Sequence, residues 1–162
     1  MTDATRHRYA LAIGTNRAAR GIRKAEDIIA AALEAIQTQG ITLVKRSAIL
    51  NTAPIGPARR RFGNAAALIE TELEPNELLR ALKAIESDFG RKAGRRWGDR
   101  PLDLDIILWG GGRVNQRALT IPHRAWHQRR FVTEPLVAIA PLWRDPLTGR
   151  NVRQIAWYLR KR

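Results

Sequence analysis

Cysteine is absent from this chain of 162 residues, which excludes a disulfide framework and any thiolate zinc site. Histidine is scarce at three residues, too few to hold a structural zinc without carboxylate help. Aromatic residues are few, with five Trp, three Phe and two Tyr. Long apolar runs are missing as well. The longest, Ile28–Leu33, has six residues, whereas a bilayer-crossing helix needs about 20. The opening Met1-Thr-Asp-Ala-Thr-Arg-His-Arg8 carries no secretory apolar segment. These absences predict a cytoplasmic protein with no membrane partner.

Acidic residues are the remaining shortage: 15 stand against 29 basic ones, a formal net charge of +14. Such a balance points to a polyanionic partner. Of the basic residues 24 are Arg, the better bidentate ligand for phosphate. Their distribution matters more than their number. Residues 91–130 hold ten basic groups and three acids, so half of the excess sits in one stretch. That is the mark of a local anion site rather than a uniform coat. Length places residues 1–162 in one domain, able to bury roughly 70% of the surface of the unfolded chain.

Hydrophobic spacing predicts the elements. Tyr9–Gly14 reads as a strand, followed by a helix with Ile22, Ala25, Ile29, Ala32, Leu33 and Ile36 on one face, stopped by Gly40. Ile41–Leu50 reads as one second strand, and Asn51–Pro57 as a loop by its Pro and Gly. Phe62–Thr71 is a third strand. A second helix starts at Pro75, with Leu78, Leu82, Ile85 and Phe89 facing inward. Leu102–Leu108 is a fourth strand. The order βαββαβ predicts an α+β, ferredoxin-like core: an antiparallel sheet with both helices on one face. From Gly110 onward the pattern is irregular, a C-terminal extension closed by a helix over Val152–Leu159.

The sharpest chemical feature is Arg95-Arg-Trp-Gly-Asp-Arg-Pro-Leu-Asp-Leu-Asp-Ile-Ile-Leu108. On a strand, Asp103 and Asp105 share a face while Leu102, Leu104 and Ile106 share the other. Paired carboxylates repel unless a cation lies between them, and hard cations such as Mg²⁺ accept carboxylate together with phosphate oxygen. An ion pair with a neighbouring Arg is the simpler alternative. Arg91, Lys92, Arg95, Arg96 and Arg100 stand just before the pair, in a Gly-containing loop suited to phosphate or simply to solvent. Trp97 is a stacking surface or a loop anchor. Phe62 and Asn64 alternate onto one face, able to stack on and hydrogen-bond a planar polar ring; core packing and a strand-end turn are the alternatives. His123, Arg124, Arg129 and Arg130 form a second basic cluster.

Arg96-Trp-Gly-Asp-Arg-Pro-Leu-Asp-Leu-Asp-Ile-Ile resembles the signature of the 6-hydroxymethyl-7,8-dihydropterin pyrophosphokinases. The likeness extends to Gly14-Thr-Asn16, Thr52-Ala-Pro-Ile-Gly-Pro57 with Asn64, Leu119-Thr-Ile-Pro-His123 and Pro135–Pro141. It implies a ferredoxin-like fold and pyrophosphoryl transfer from ATP to the hydroxymethyl group of the pterin, with AMP released. By position it implies that Asp103 and Asp105 hold two Mg²⁺ ions and that Arg91 and Arg100 assist catalysis. It assigns Glu86, Trp97, Ile106, Thr120, His123 and Arg129 to the nucleotide site. Thr52, Ala53, Ile55, Phe62, Asn64 and Phe131 fall to the pterin site. The implied partners are the two small substrates, ATP and the pterin, with no nucleic acid, and the implied state is a monomer. The chain departs from the pattern at Phe62, where Tyr is common, and at Ala118 and Arg124, which replace an Arg and a Tyr. Two other readings compete: a homologue that binds nucleotide without turnover, and an RNA-binding module of the same element order. The second fits poorly, because Phe62-Gly-Asn-Ala-Ala-Ala-Leu-Ile69 offers one aromatic where RNA-recognition strands carry several.

Overall fold

The computed structural model describes residues 4–16, 24–52, 62–90 and 101–162. The apolar run near the start forms β1 (His7–Thr15), which pairs antiparallel with β4 (Phe62–Thr71) on one side and β5 (Asp103–Trp109) on the other. Together with β2 (Thr42–Arg46) the sheet runs β2-β4-β1-β5. All of these pairings are antiparallel, as the βαββαβ order requires.

The single second strand expected over Ile41–Leu50 is corrected to two, β2 and β3 (Leu50–Thr52), both paired with β4. The cause is local. Arg46 opposes Ala67 and Leu50 opposes Asn64, so one extra residue must be accommodated. Ser47, buried at this step, does so with its own atoms. Its backbone N–H donates to the Ala66 carbonyl (2.9 Å), and its hydroxyl accepts from the Ala66 N–H (2.8 Å).

α1 (Ala25–Thr38) and α2 (Pro75–Asp88) cover one face of the sheet. Ile28, Ile29, Ala32, Leu33 and Ile36 of α1 meet Leu78, Leu82 and Ile85 of α2 over Tyr9, Leu11, Ile13, Leu104 and Ile106 of the sheet. Pro75 occupies the start of α2, where a missing N–H costs nothing, and the Glu74 N–H donates to the Glu77 carboxylate (2.8 Å).

The other face is covered too, which sequence periodicity did not predict. α3 (Arg130–Ile139) and α4 (Val152–Arg160) lie there. Val132, Leu136, Ile139, Val152 and Ile155 pack with Trp126 against Ala10, Ala66, Leu68, Ile107 and Leu108. The expected picture of helices on one face therefore holds for α1 and α2, and the extension adds a third layer. Pro135 lies inside α3 and disguises it, since an internal proline normally ends a helix. Alanine suits β4 despite its weak strand propensity, because this strand is central and packed on both faces, where fit decides. Between β5 and α3 the chain forms a hairpin of β6 (Val114–Asn115) and β7 (Thr120–Ile121), then a 3₁₀ turn at Trp126–Gln128.

Candidate functional site

β5 presents its two carboxylates as the alternation predicted. Leu102, Leu104 and Ile106 enter the core under α1 and α2, which leaves Asp103 and Asp105 on the face carrying α3 and α4. The register then assembles a row. Gly14 of β1 pairs with Asp103 on one side and Asn64 on the other. One step along, Ala12 stands between Asp105 and Ala66. Gly14, between amide and carboxylate, is thus as small as a residue can be, and Ala12 is the next smallest. A Cβ placed on Gly14 would stand 3.3 Å from the Asn64 Oδ1 and 3.9 Å from the Asp103 Cβ. Glycine keeps the first contact from becoming tight.

Asn64 is 6% exposed. Its side-chain nitrogen donates to the Thr52 hydroxyl (3.1 Å), which joins two residues assigned to the same subsite. Phe62 is half-buried at the start of β4 and pairs with Thr52. Phe131 is half-buried on α3, packed against the second core. The Arg129 guanidinium lies 5.8 Å from its ring centre.

Glu86 of α2 reaches β5 from the edge away from β1. Its Oε1 accepts the Leu104 N–H (2.8 Å) and its Oε2 meets the Lys83 ammonium (3.1 Å). Leu104 lies between the two aspartates on the outermost strand. Its N–H would otherwise be a buried donor, which costs about 1–3 kcal/mol when unpaired. Glu86 therefore holds the carboxylate strand whatever else it contacts. Thr15 does similar work on the other side, donating its buried hydroxyl to the Pro101 carbonyl just ahead of β5.

The electrostatics mark Asp105. Burial, and next the negative charge of Asp103, push its carboxyl up from 3.8 to about 6, against the pull of Lys83 and Arg129. A carboxylate held so reluctantly in charged form, beside a second one, is relieved by a cation. Two carboxylates with no sulfur or imidazole in the pair suit a hard divalent ion that takes its remaining ligands from water or phosphate. Among the described residues no group of three or more His, Asp or Glu converges as a self-sufficient metal site.

His123 follows β7. Its backbone N–H donates to the Ile107 carbonyl (3.1 Å), which fixes it beside β5. Burial, then Arg129, lower its basicity, while Asp103 opposes them. Its Nδ1 accepts the Ala125 N–H (3.4 Å), so a neutral ring carries its proton on Nε2. Thr120 is half-buried on β7. Ile106 points into the first core, so only its backbone is left to serve a ligand. Ala53, Ile55, Arg91, Trp97 and Arg100 lie outside the described residues. Gly14, Thr15 and Lys83 escaped notice as site residues. Gly14 and Thr15 act on partners distant in sequence, although the likeness through Gly14-Thr-Asn16 pointed to them, and for Lys83 the i, i+3 spacing to Glu86 was the visible signal.

Comparison with known proteins points the same way. The family model for 7,8-dihydro-6-hydroxymethylpterin-pyrophosphokinase matches residues 10–141. The 2-amino-4-hydroxy-6-hydroxymethyldihydropteridine pyrophosphokinase of Pseudomonas aeruginosa is 39% identical over 150 residues, 91% of this chain and 89% of that protein. The enzyme of the same name from Synechocystis is 40% identical over 116 residues, 72% of this chain and 60% of the relative. A crystal structure of a Plasmodium falciparum HPPK-DHPS variant superposes with a TM-score of 0.75 at 12% identity, covering 98% of this chain and 44% of that one. This chain thus spans less than two thirds of some of the proteins it matches. At such identity the structural likeness speaks for the fold alone.

Proposed function

Because the chain belongs to the 7,8-dihydro-6-hydroxymethylpterin-pyrophosphokinase family, we propose that it transfers pyrophosphate from ATP to 6-hydroxymethyl-7,8-dihydropterin. The observation that carries this reading is the row Asn64–Gly14–Asp103. It sets an amide able to read a heterocycle edge one strand away from a carboxylate able to hold phosphate-bound metal. In the reaction the pterin hydroxymethyl oxygen bonds to the β-phosphorus, the bond from that phosphorus to the α,β-bridging oxygen breaks, AMP leaves, and the hydroxyl proton passes to solvent.

Asp103 and Asp105 would hold Mg²⁺, two ions in this reading. When bound, these supply charge neutralisation on the phosphate oxygens. Asn64, supported by Thr52, reads the pterin edge, with Phe62 and Phe131 against the ring, and Ala53 and Ile55 are assigned to the same substrate. Thr120, His123 and Arg129 serve the nucleotide together with Glu86, Trp97 and the backbone of Ile106. A neutral His123 offers its Nε2 proton as a donor, and Arg129 brings a permanent charge. Arg91 and Arg100 are assigned to the charge that builds during transfer. In this reading residues 1–162 act as one domain and as a monomer in the cytoplasm.

The RNA-binding alternative loses its platform. RNA-recognition sheets expose one face to stack bases, whereas both faces of this sheet are packed by helices. The deciding assay is product analysis of the purified chain with MgATP and the pterin. AMP and the pterin diphosphate are expected; ADP, or no nucleotide product from folded protein, overturns the reading. Nucleotide binding without AMP would identify the non-catalytic homologue.

A further inference from the structure

Residues 142–162 supply none of the site's polar or charged groups, and the family match ends at Pro141. The stretch holds six basic residues, Arg144, Arg150, Arg153, Arg160, Lys161 and Arg162, against the single acid Asp145, and of the six Arg160 also meets the Glu134 carboxylate of α3 (3.6 Å). Asp145 is buried and occupied within its own turn, where its carboxylate accepts the Leu147 N–H (2.9 Å) and the Thr148 hydroxyl (3.1 Å). Among the described residues five large hydrophobic side chains are exposed, and four lie here: Leu142 (67%), Leu147 (57%), Trp157 (48%) and Tyr158 (47%).

These four are surplus to folding. α4 already buries Val152, Ile155 and Ala156 in the second core. Nor are they on loose ends. The Val152 N–H donates to the Trp143 carbonyl and the Arg153 N–H to the Pro141 carbonyl (both 3.0 Å), which ties residues 141–143 to the first turn of α4. Arg150, from the turn, lies 4.5 Å over the Tyr158 ring, and Lys161 lies 4.0 Å over Trp157. The two rings meet edge to face at 4.9 Å. Turn and helix are therefore joined, and both carry protruding apolar groups beside cations.

We propose that this surface docks on an anionic phospholipid bilayer. Leu142, Leu147, Trp157 and Tyr158 enter the headgroup region while the basic side chains meet lipid phosphates. Charge complementarity selects the occupant class, and the apolar groups select within it. Trp and Tyr favour the boundary between water and hydrocarbon, and stable surface binding takes an apolar and a basic signal together. Single-stranded nucleic acid needs open ring faces, yet each ring here already carries a cation of its own chain, and exposed leucines offer it nothing. A second copy would bring +14 against +14. No described helix is long and apolar enough to span a membrane, so the expectation of no membrane partner is narrowed to spanning, and the contact is peripheral.

The test is sedimentation of the full chain with vesicles of phosphatidylcholine alone or with about 30 mol% phosphatidylglycerol. Binding is expected only to the anionic vesicles, reversed by roughly 0.5 M salt. The double change Lys161→Ala, Arg162→Ala, which leaves the Arg160–Glu134 pair in place, should weaken partition roughly 30-fold. Trp157→Ala with Tyr158→Ala should weaken it about tenfold or more at unchanged charge. Leu147→Ser, at an exposed turn position, gives the same direction should the aromatic variant fold poorly. AMP release without vesicles should be the same for all these variants. Failure to bind anionic vesicles overturns the proposal. So does undiminished binding by the aromatic and Leu147 variants, which would reduce the effect to bulk charge. Displacement from vesicles by a short single-stranded RNA that loses affinity on Trp157→Ala would assign the surface to nucleic acid instead.

Discussion

Replacing Asp105 with Asn should make the metal-free protein more stable while removing its activity. The carboxyl titrates near 6 in the fold, against 3.8 unperturbed, because burial and Asp103 penalise its charge. Below about pH 4 both folded and unfolded chains hold the proton, and the site has no effect on stability. Between pH 4 and 6 the unfolded chain releases it first, which draws the equilibrium toward unfolding. Above pH 6 the whole penalty is present. Each tenfold gain in proton affinity is worth about 1.36 kcal/mol, so the rise from 3.8 to about 6 sets a ceiling of about 3 kcal/mol on the penalty. Asn keeps the shape without the charge. For a chain of this size each kcal/mol moves Tm by roughly 2–4 °C. The variant should therefore melt up to about 10 °C higher than wild type at pH 7.5 in EDTA, and within a degree or two of it near pH 4. Mg²⁺ should raise the wild-type Tm at pH 7.5 and leave the variant nearly unmoved, while AMP release falls by several orders of magnitude. Differential scanning calorimetry across pH reads the first effect. A variant equally or less stable at pH 7.5, or a gain that does not depend on pH, would refute the electrostatic account of the pair.

Other substitutions separate the remaining parts. Gly14→Ala places a methyl 3.3 Å from the Asn64 Oδ1; pterin affinity, read by fluorescence titration without nucleotide, should fall about tenfold with the fold intact, and unchanged affinity would remove Gly14 from the site. Ser47→Ala strips the acceptor from the Ala66 N–H, for a loss of about 1–3 kcal/mol in urea unfolding. Leu136→Ala, fully buried under the sheet, should cost about 2–5 kcal/mol; a negligible loss would mean that the third layer is not part of the cooperative fold. Glu86→Ala leaves the Leu104 N–H unpaired and should cost about 1–3 kcal/mol, whereas Glu86→Gln, which retains an acceptor, should recover most of the stability.

Elements whose evidence lay in their own residues were legible. β1, α2 and β5 follow from apolar spacing and a well-placed proline, and Asp103 with Asp105 share a face because strand alternation leaves no other choice. What stayed hidden was set by partners far along the chain. The break between β2 and β3 depends on Ser47 exchanging bonds with Ala66, and no pattern within 41–50 announces it. α3 was masked by Pro135, whose cost is outweighed by the apolar stripe of Val132, Leu136 and Ile139. Gly14 looked like the end of a strand; its meaning lies in having Asn64 on one side and Asp103 on the other.

The irregular extension is what turns a common sheet into a site. On the face of α1 and α2 the sheet offers only core, and Ile106 is lost to it. The opposite face carries Asn64, Asp103 and Asp105, charged and polar groups that a bare sheet would leave in water. α3 and α4 seal part of that face through Leu136, Ile139 and Ile155. The same stretch returns His123, fixed to β5 by its backbone, and Arg129 and Phe131 at the start of α3. Burial raises the proton affinity of Asp105 and lowers that of His123, opposite shifts from one cause. A half-buried pair of carboxylates beside a neutral imidazole and a guanidinium favours a ligand that brings its own cation and its own anionic oxygens, and a metal-bound polyphosphate meets both requirements.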